Sequence, residues 1–566
     1  MEKFSDITTR NELADFLEIP RKKLTHILYI KKVDSYYESF EIAKKNEGVR
    51  YINAPKDDLK AMQKKLADAL WEYQKSVWKD KNIQPNISHA FEKHKSIITN
   101  ARVHRNKRFL LNLDLENFFD SFHFGRVRGF FEKNREFHLT NEAATIIAQL
   151  TCYKGCLPQG APTSPIITNL ICQILDNRLL KIAKKYKLDY TRYADDLTFS
   201  TNNKAFLDSQ TEFCMEISKE IENTGFRIND KKTRLQFRDS KQVVTGLIVN
   251  RKLNVDHTYY RKTRSMAHTL YTQGSFEIAS SPGTIMQLEG RFAFINQLDR
   301  YNNNLNKEKH GFKKLNGREK QYQKFLFYKY FFSNEKPLLV TEGKTDIAYL
   351  KAALKSLYAE YPQLVARTGD EKYEFKISFL RKTARITHFF GISSDGANAM
   401  KLLYNYFNAK SGNKDVNPDY LSYFNKISPY TPKNPVLLVF DNELQNKNKP
   451  LYDFVNHAKL TEEQKSILKD ELHIKLIDCG NLFLLTNPLV EGKKECEIED
   501  LFDVETLAHS IKGKTFSRTS SFDTSKHYGK EIFSQYIASN YKKIDFSNFK
   551  RVLDSINTIV ESYKKS

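Results

Sequence analysis

Two adjacent carboxylates, Asp195 and Asp196, stand between two runs of strand-forming residues, Leu188-Asp189-Tyr190-Thr191-Arg192 and Leu197-Thr198-Phe199-Ser200. That pattern confines the segment to a strand, a tight turn and a returning strand, with both acids at the turn. Like charges a few ångströms apart raise each other's pKa, so the pair is unfavourable on its own. A divalent cation relieves the repulsion, and oxygen-rich carboxylate sites suit Mg²⁺. In isolation the pair would read as a solvated turn. A third carboxylate changes that reading: Asp114 ends the apolar run Phe109-Leu110-Leu111-Asn112-Leu113, which has the character of a strand buried on both faces. Three carboxylates on neighbouring strands, with the Leu115 carbonyl as a further oxygen donor, match a two-metal arrangement for phosphoryl transfer.

The bulk properties agree. A chain of 566 residues is too long for one core and implies two to four domains. Lys and Arg outnumber Asp and Glu by 91 to 68, and the net charge of +23 points to a polyanionic partner, nucleic acid above all. No run reaches the apolar length of a membrane span, and Met1–Asp6 has no apolar leader, so the expectation is a cytoplasmic chain with no membrane partner. The cysteines at 152, 156, 172, 214, 479 and 496 form no CxxC pair, which argues against a zinc ribbon or disulfide framework. With 40 Phe and 30 Tyr, part of the aromatic excess is expected to stack on bases.

Along the chain, Thr9-Arg10-Asn11-Glu12 reads as a capping box. Residues 28–56 read as β-rich and 59–78 as a helix. Ser164-Pro165 marks a helix start with Ser164 as N-cap, continuing through Ile166, Leu170, Ile174 and Leu179. Residues 225–229 and 243–249 are expected strands, and 257–300 a basic helical region. The stretch 302–330, rich in Asn, Lys, Phe and Tyr, reads as a junction. Beyond it strands at 337–341 and 435–440 alternate with helices such as 347–357, which predicts an α/β domain with a largely parallel sheet.

Four motifs in order resemble those of reverse transcriptases. Leu113-Asp114-Leu115-Glu116-Asn117-Phe118-Phe119-Asp120 resembles motif A, and Leu157-Pro158-Gln159-Gly160-Ala161-Pro162-Thr163-Ser164-Pro165 resembles motif B. Tyr193-Ala194-Asp195-Asp196 resembles motif C, and Gly225–Asn229 with Lys232-Thr233 resembles motif D. The resemblance implies that Phe119 excludes ribonucleotides and that Arg50 meets the incoming triphosphate. It places Gln159 and Gly160 beside the nascent base pair and gives Lys232 a role in protonating pyrophosphate. Asn100-Ala101-Arg102-Val103-His104 and Val244-Thr245-Gly246 are similar to retron elements, and His104 is assigned no catalytic role. Membership of that class implies dNTPs as substrates, a structured noncoding RNA as partner, and a branched RNA-linked DNA, msDNA, primed from an internal guanosine.

A second acidic constellation follows residue 336. Thr341-Glu342-Gly343-Lys344-Thr345-Asp346 invites a P-loop reading, but the first glycine of that pattern is replaced by Leu338. The segment instead resembles the start of a Toprim domain, with Glu342 leaving the first strand and Asp441-Asn442-Glu443 the later acidic pair. Glu443 departs from that family's Asp-x-Asp. Residues 391–396 are the expected intervening strand and turn, Lys530 resembles a late basic position, and Ile498–Phe502 is a further acidic element.

The expected architecture is therefore multidomain, α+β then α/β: a right-hand polymerase followed by a Toprim-like domain. Fingers and palm occupy 1–250, a thumb or RNA-binding region 251–300, a basic aromatic junction 301–335, and a nuclease effector 336–566. The resemblance implies catalytic roles for Asp114, Asp195, Asp196, Glu342, Asp441, Glu443 and Lys530. Mg²⁺ would be held by Asp114, Leu115, Asp195 and Asp196 in one site, and by Glu342, Asp441 and Glu443 in the other. A reverse transcriptase fused to Toprim resembles an anti-phage retron type whose effector attacks nucleic acid. Restraint of a nuclease by its own product would favour a homo-oligomeric nucleoprotein. Two alternatives stand: a catalytically inactive Toprim-like binding scaffold, and a reverse transcriptase of the group II intron or diversity-generating type.

Overall fold

The computed structural model describes residues 4–43, 48–83, 86–307, 311–393, 397–408, 418–490, 492–519 and 521–565. The chain divides into two compact units, Met1–Asp256 and His257–Ser566.

In the first unit a four-stranded antiparallel sheet carries the acidic turn. Its strands are β3 (Phe109–Asp114), β4 (Asp189–Tyr193), β5 (Asp196–Thr201) and β6 (Arg234–Phe237), in the order β4-β5-β3-β6. Phe109, Leu111, Leu113, Tyr190, Leu197 and Phe199 join one core with Ile166, Leu170, Leu175 and Leu179 of the helix Ser164–Lys185. An antiparallel ribbon, β1 (Tyr37–Ala43) with β2 (Val49–Pro55), precedes the long helix Asp57–Asp80. The capping box at Thr9 and Glu12 forms as its sequence suggests.

Three local expectations differ. Residues 225–229 are not a strand: Gly225 has φ +78°, and only an isolated bridge from Ile228 to Leu115 remains, the strand lying instead at β6. The run 243–249 folds back on itself, because Thr245 and Gly246 both take positive φ and separate two-residue strands at 243–244 and 247–248. The N-cap of the 164–185 helix is Thr163, whose side chain makes no capping bond. The Ser164 hydroxyl donates instead to the Pro158 carbonyl at 2.8 Å.

In the second unit, β7 (Leu338–Thr341), β8 (Ser378–Phe379), β9 (Val436–Phe440), β10 (His473–Lys475) and β11 (Leu482–Thr486) form one sheet in the order β8-β7-β9-β11-β10. Only β10 is antiparallel. Alternate residues feed two cores: Leu338, Val340, Leu438 and Leu484 on one face, Leu339, Leu437, Val439 and Leu485 on the other. Burial on both faces explains why these strands read as unbroken apolar runs.

The aromatic stretch expected to be a junction supplies core here. Tyr322, Phe325, Phe327, Phe331 and Phe332 are buried with Phe389 and Phe424, so this share of the aromatic excess packs against protein rather than bases. Of the segment 391–396, Gly391 ends the helix Ala384–Phe390 with φ +75°, while residues 394–396 lie outside the described residues. No helix among the described residues is long and apolar enough to cross a membrane, and all six cysteines are unpaired.

Candidate active sites

In the first unit the site is a product of strand register. The β3–β5 ladder sets Asp114 directly opposite Asp196, and the β4–β5 hairpin pairs Tyr193 with Asp196. Ala194, in the left-handed region at φ +57°, closes the turn, and the Asp195 carbonyl accepts the Leu115 N–H at 3.0 Å. The three expected carboxylates and Leu115 thus come together. Burial, then the charges of Asp195 and Asp114, pushes Asp196 up to about 7. Burial and Asp114 also raise Asp195. Lys232 reaches both oxygens of Asp114 at 2.9 Å, and this hydrogen bond raises its own pKa.

Among the described residues no three acidic, His or Cys side chains are gathered in a geometry that holds a metal ion. The donor set nonetheless fits a divalent cation. It is oxygen only, it is buried and crowded enough to hold a proton near neutral pH, and its one ion-pair partner is a lysine that a cation can replace.

The turn is braced from behind. Arg192, wholly buried, donates from Nε and Nη2 to the two oxygens of Asp176, both at 2.8 Å, and from Nη1 to the Ala194 carbonyl at 3.2 Å. His104 lies between Thr191 of β4 and Ser200 of β5, 2.7 Å from each hydroxyl. Thr191 gives its hydroxyl hydrogen to Asn100 at 2.6 Å, so Nε2 of His104 donates to Thr191 and Nδ1 accepts from Ser200. A neutral imidazole satisfies both, and burial holds its pKa down at about 3. The Asn-Ala-x-x-His segment therefore braces the β4–β5 hairpin.

Arg50 lies exposed on β2, and its charge acts to lower the pKa of Asp195. The ribbon docks through the Asn53 N–H on the Gln159 carbonyl at 2.8 Å. Gly160, at φ +121°, is required there: a Cβ would lie 2.9 Å from the Asn53 carbonyl and from Ile52. Phe119 is half-buried, its ring 5.5 Å from that of Phe118 and 6.4 Å from that of Phe91.

The second site stands where β7, β9 and β11 end. Glu342 and Asp441 leave adjacent parallel strands, and Glu342 Oε1 accepts the Asp441 N–H at 3.2 Å. Asp441 Oδ1 also accepts from Asn487, just past β11, and from the Ile498 N–H, each at 2.9 Å. Burial, then Asp441's neighbours Glu342, Asp346 and Glu499, drives Asp441 well above the usual carboxylate range. Glu342 is pushed up to about 7, chiefly by burial. Asp346 caps its helix through the Gly343 N–H at 2.8 Å.

Lys530 contacts Glu499 at 3.1 Å and Glu497 at 3.3 Å. Burial opposes its charge, but the two glutamates outweigh that and raise its pKa. Glu443, expected as a ligand, is buried and bonded to Lys449 at 2.6 Å. Glu499, singled out in sequence only as part of an acidic element, is wholly buried, and its Oε1 has no partner. The charge of Glu499 acts on Asp441 and that of Glu443 on Glu342, so both flank the acidic pair, and the orphaned oxygen of Glu499 is a further candidate donor to a divalent cation.

The family profile for reverse transcriptase, RNA-dependent DNA polymerase, matches residues 42–257 and so bears on the first site alone. The Ec86 retron reverse transcriptase of Escherichia coli is 35% identical over 272 residues, covering 47% of this chain and 81% of the relative. The Mx162 retron enzyme of Myxococcus xanthus is 33% identical, covering 52% of this chain and 65% of the relative. The Ec48 retron enzyme of E. coli is 25% identical over 369 residues, 63% of this chain and 82% of the relative. Among solved structures, apo telomerase from Candida tropicalis matches 51% of this chain and 60% of its own at 13% identity, with a TM-score of 0.30, a likeness too slight to bear on the sites. Profile, relatives and the carboxylate register of the first unit agree, and the chain belongs to the retron reverse transcriptase family.

Proposed function

We propose that this reverse transcriptase copies part of a structured noncoding RNA into branched, RNA-linked msDNA from dNTPs with Mg²⁺, and that residues 336–566 are a Toprim-like nuclease effector in anti-phage defence. One observation carries the reading: the chain holds two separate buried acidic sites, one at Asp114, Asp195 and Asp196, the other at Glu342 and Asp441. Residues 1–250 act as fingers and palm, 251–300 as the RNA-binding thumb, and 336–566 as effector, with 301–335 between them. A cytoplasmic homo-oligomeric nucleoprotein would let the product restrain the effector.

In the first site Asp114, Asp195, Asp196 and the Leu115 carbonyl would hold Mg²⁺, which supplies charge stabilisation for phosphoryl transfer. Lys232, already on Asp114, is placed to follow the leaving pyrophosphate and give it a proton. Arg50 meets the triphosphate, Phe119 crowds the 2′ position of the sugar, and Gln159 with Gly160 lines the nascent pair. In the second site Glu342, Asp441 and Glu499 would hold the ion, with Glu443 turned to Lys449 and Lys530 facing the scissile phosphate.

Coexpression with the adjacent structured RNA tests both halves. Replacing Asp195 and Asp196 with Ala should abolish branched DNA, and persistence of that product would refute the polymerase assignment. Glu342→Ala should abolish Mg²⁺-dependent cleavage of an RNA and DNA panel by the full chain. The Glu443–Lys449 pair favours one second reading, a binding scaffold without cleavage, which absence of cleavage in the parent chain would establish.

A further inference from the structure

A cavity of about 260 Å³ lies in the first unit between the Asp57–Asp80 and Ser164–Lys185 helices. Its volume is just under the ~300 Å³ at which pockets for drug-sized ligands begin, room for one heteroaromatic ring system. The long helix presents Trp71, Gln74 and Trp78, spaced to share a face, and these are the only two tryptophans in the chain. Asn169, Gln173, Asp176 and Asn177 line the opposing helix stripe.

Gln74 is only 5% exposed, yet its carboxamide bonds to no described residue, and the same holds for the side chains of Gln173 and Asn177. Neither indole N–H has a partner among the described residues. The acids at the rim and floor are already neutralised, Glu92 by Lys95 at 3.2 Å and Asp176 by Arg192 at 2.8 Å, so the cavity has no net call for a cation. The floor is pre-set: Asn169 is fixed by Ser88, by the Ala90 carbonyl and by Arg192.

Flat indole walls with unpaired carboxamide donors and acceptors are the chemistry that recognises a nucleobase, whose faces stack and whose edge hydrogen-bonds. An apolar ligand would leave those carboxamides unpaired, and a bare anion would find no free cation. We propose that this cavity captures one unstacked base of a single-stranded nucleic acid, stacked on tryptophan and read at its edge by Gln74, Gln173 and Asn177. None of the acids of the turn lines the site, which is joined to the turn through Arg192, and resting on the reading that this unit handles RNA, it would anchor one nucleotide of the strand and fix its register.

Because both tryptophans line the cavity, indole fluorescence of the full chain, excited where tyrosine is silent, reports on this site alone. Short single-stranded RNA should quench or shift it saturably. The same backbone carrying abasic residues should still bind by anisotropy but leave the indoles unchanged. Free nucleosides should act only at higher concentration, and a matched DNA oligonucleotide tells whether the base comes from template or product. Gln74→Leu, which keeps both fluorophores, should weaken the base-dependent signal about tenfold. Gln173→Leu serves if that variant does not fold. Indole emission that stays unchanged while RNA saturates the protein, or a Gln74→Leu titration matching the parent, would overturn the proposal and leave the polymerase reading intact. Base-dependent quenching in a chain that extends no annealed primer would do the reverse.

Discussion

In the first unit antiparallel pairing brings Asp114 and Asp196 face to face, whereas in the second Glu342 and Asp441 leave the ends of neighbouring parallel strands. The first arrangement needs only a hairpin and one further strand. Its acids are aligned by backbone register, with Lys232 paired to Asp114 and the Arg50 charge acting on Asp195. The second draws on five remote segments, around residues 342, 441, 487, 498 and 530. Parallel strands cannot turn back on each other, so their acids meet only where loops gather above the sheet. Both sites place carboxylates where burial raises their pKa, by different geometric means.

The most severe break in this comparison should come from the acids themselves. Asp195→Ala should cut DNA synthesis at least about a hundredfold while leaving in place the cleavage proposed for the second unit, and Asp441→Ala should do the opposite. Primer extension and cleavage assays on the same two variants check this. Loss of both activities in either variant would mean that the sites work as one.

Next in size is the brace. Asp176→Asn leaves the Arg192 guanidinium wholly buried without its counter-charge, which should cost about 3–5 kcal/mol in thermal unfolding of the first unit. The corresponding pair in the second unit is softer, since the Lys530 side chain is 36% exposed, and Lys530→Ala should shift unfolding less. Equal shifts would erase the distinction between a braced site and a loop-built one. Gly160→Ala follows. Its Cβ would press on Asn53 in a backbone conformation disfavoured for alanine, at about 1–3 kcal/mol, and the displaced ribbon should raise the KM for dNTP more than it lowers kcat.

How far each site could be read in advance follows from this assembly. Asp114, Asp195 and Asp196 were legible because apolar, strand-forming runs fix the strands, and register then fixes the acids. Glu342 and Asp441 were legible for the same reason, as the first residues past buried strands. Glu499 was not, because it sits in a short 3₁₀ turn far along the chain, where no periodicity announces its approach to β9. Glu443 was legible from its place two residues after Asp441, but its partner Lys449, six residues further on, was not. The strands expected at 225–229 and 243–249 failed where glycine and a positive-φ threonine turned apolar runs into bends. The aromatic stretch after residue 302 read as a junction because composition cannot show that its rings pack on residues as remote as Phe424.

The last test probes the brace by pH, where the effect vanishes above pH 7. His104 is fully buried and kept neutral, its pKa held down at about 3 against an ordinary 6.5, first by burial and then by Lys107 and His89. The unfolded chain takes up a proton below pH 6.5 that the folded chain refuses. The contribution of this residue to stability is therefore complete above pH 6.5 and is lost as the pH falls from 6.5 towards 3. At pH 5 the loss should be about 2 kcal/mol. His104→Gln carries no titrating group, so the melting temperatures of parent and variant should run parallel above pH 7 and converge or cross as the pH drops to 5. Parallel melting curves throughout that range would show that His104 takes its proton in the folded chain. The Thr191–His104–Ser200 bridge would then not be the neutral brace that separates this hairpin site from its loop-built counterpart.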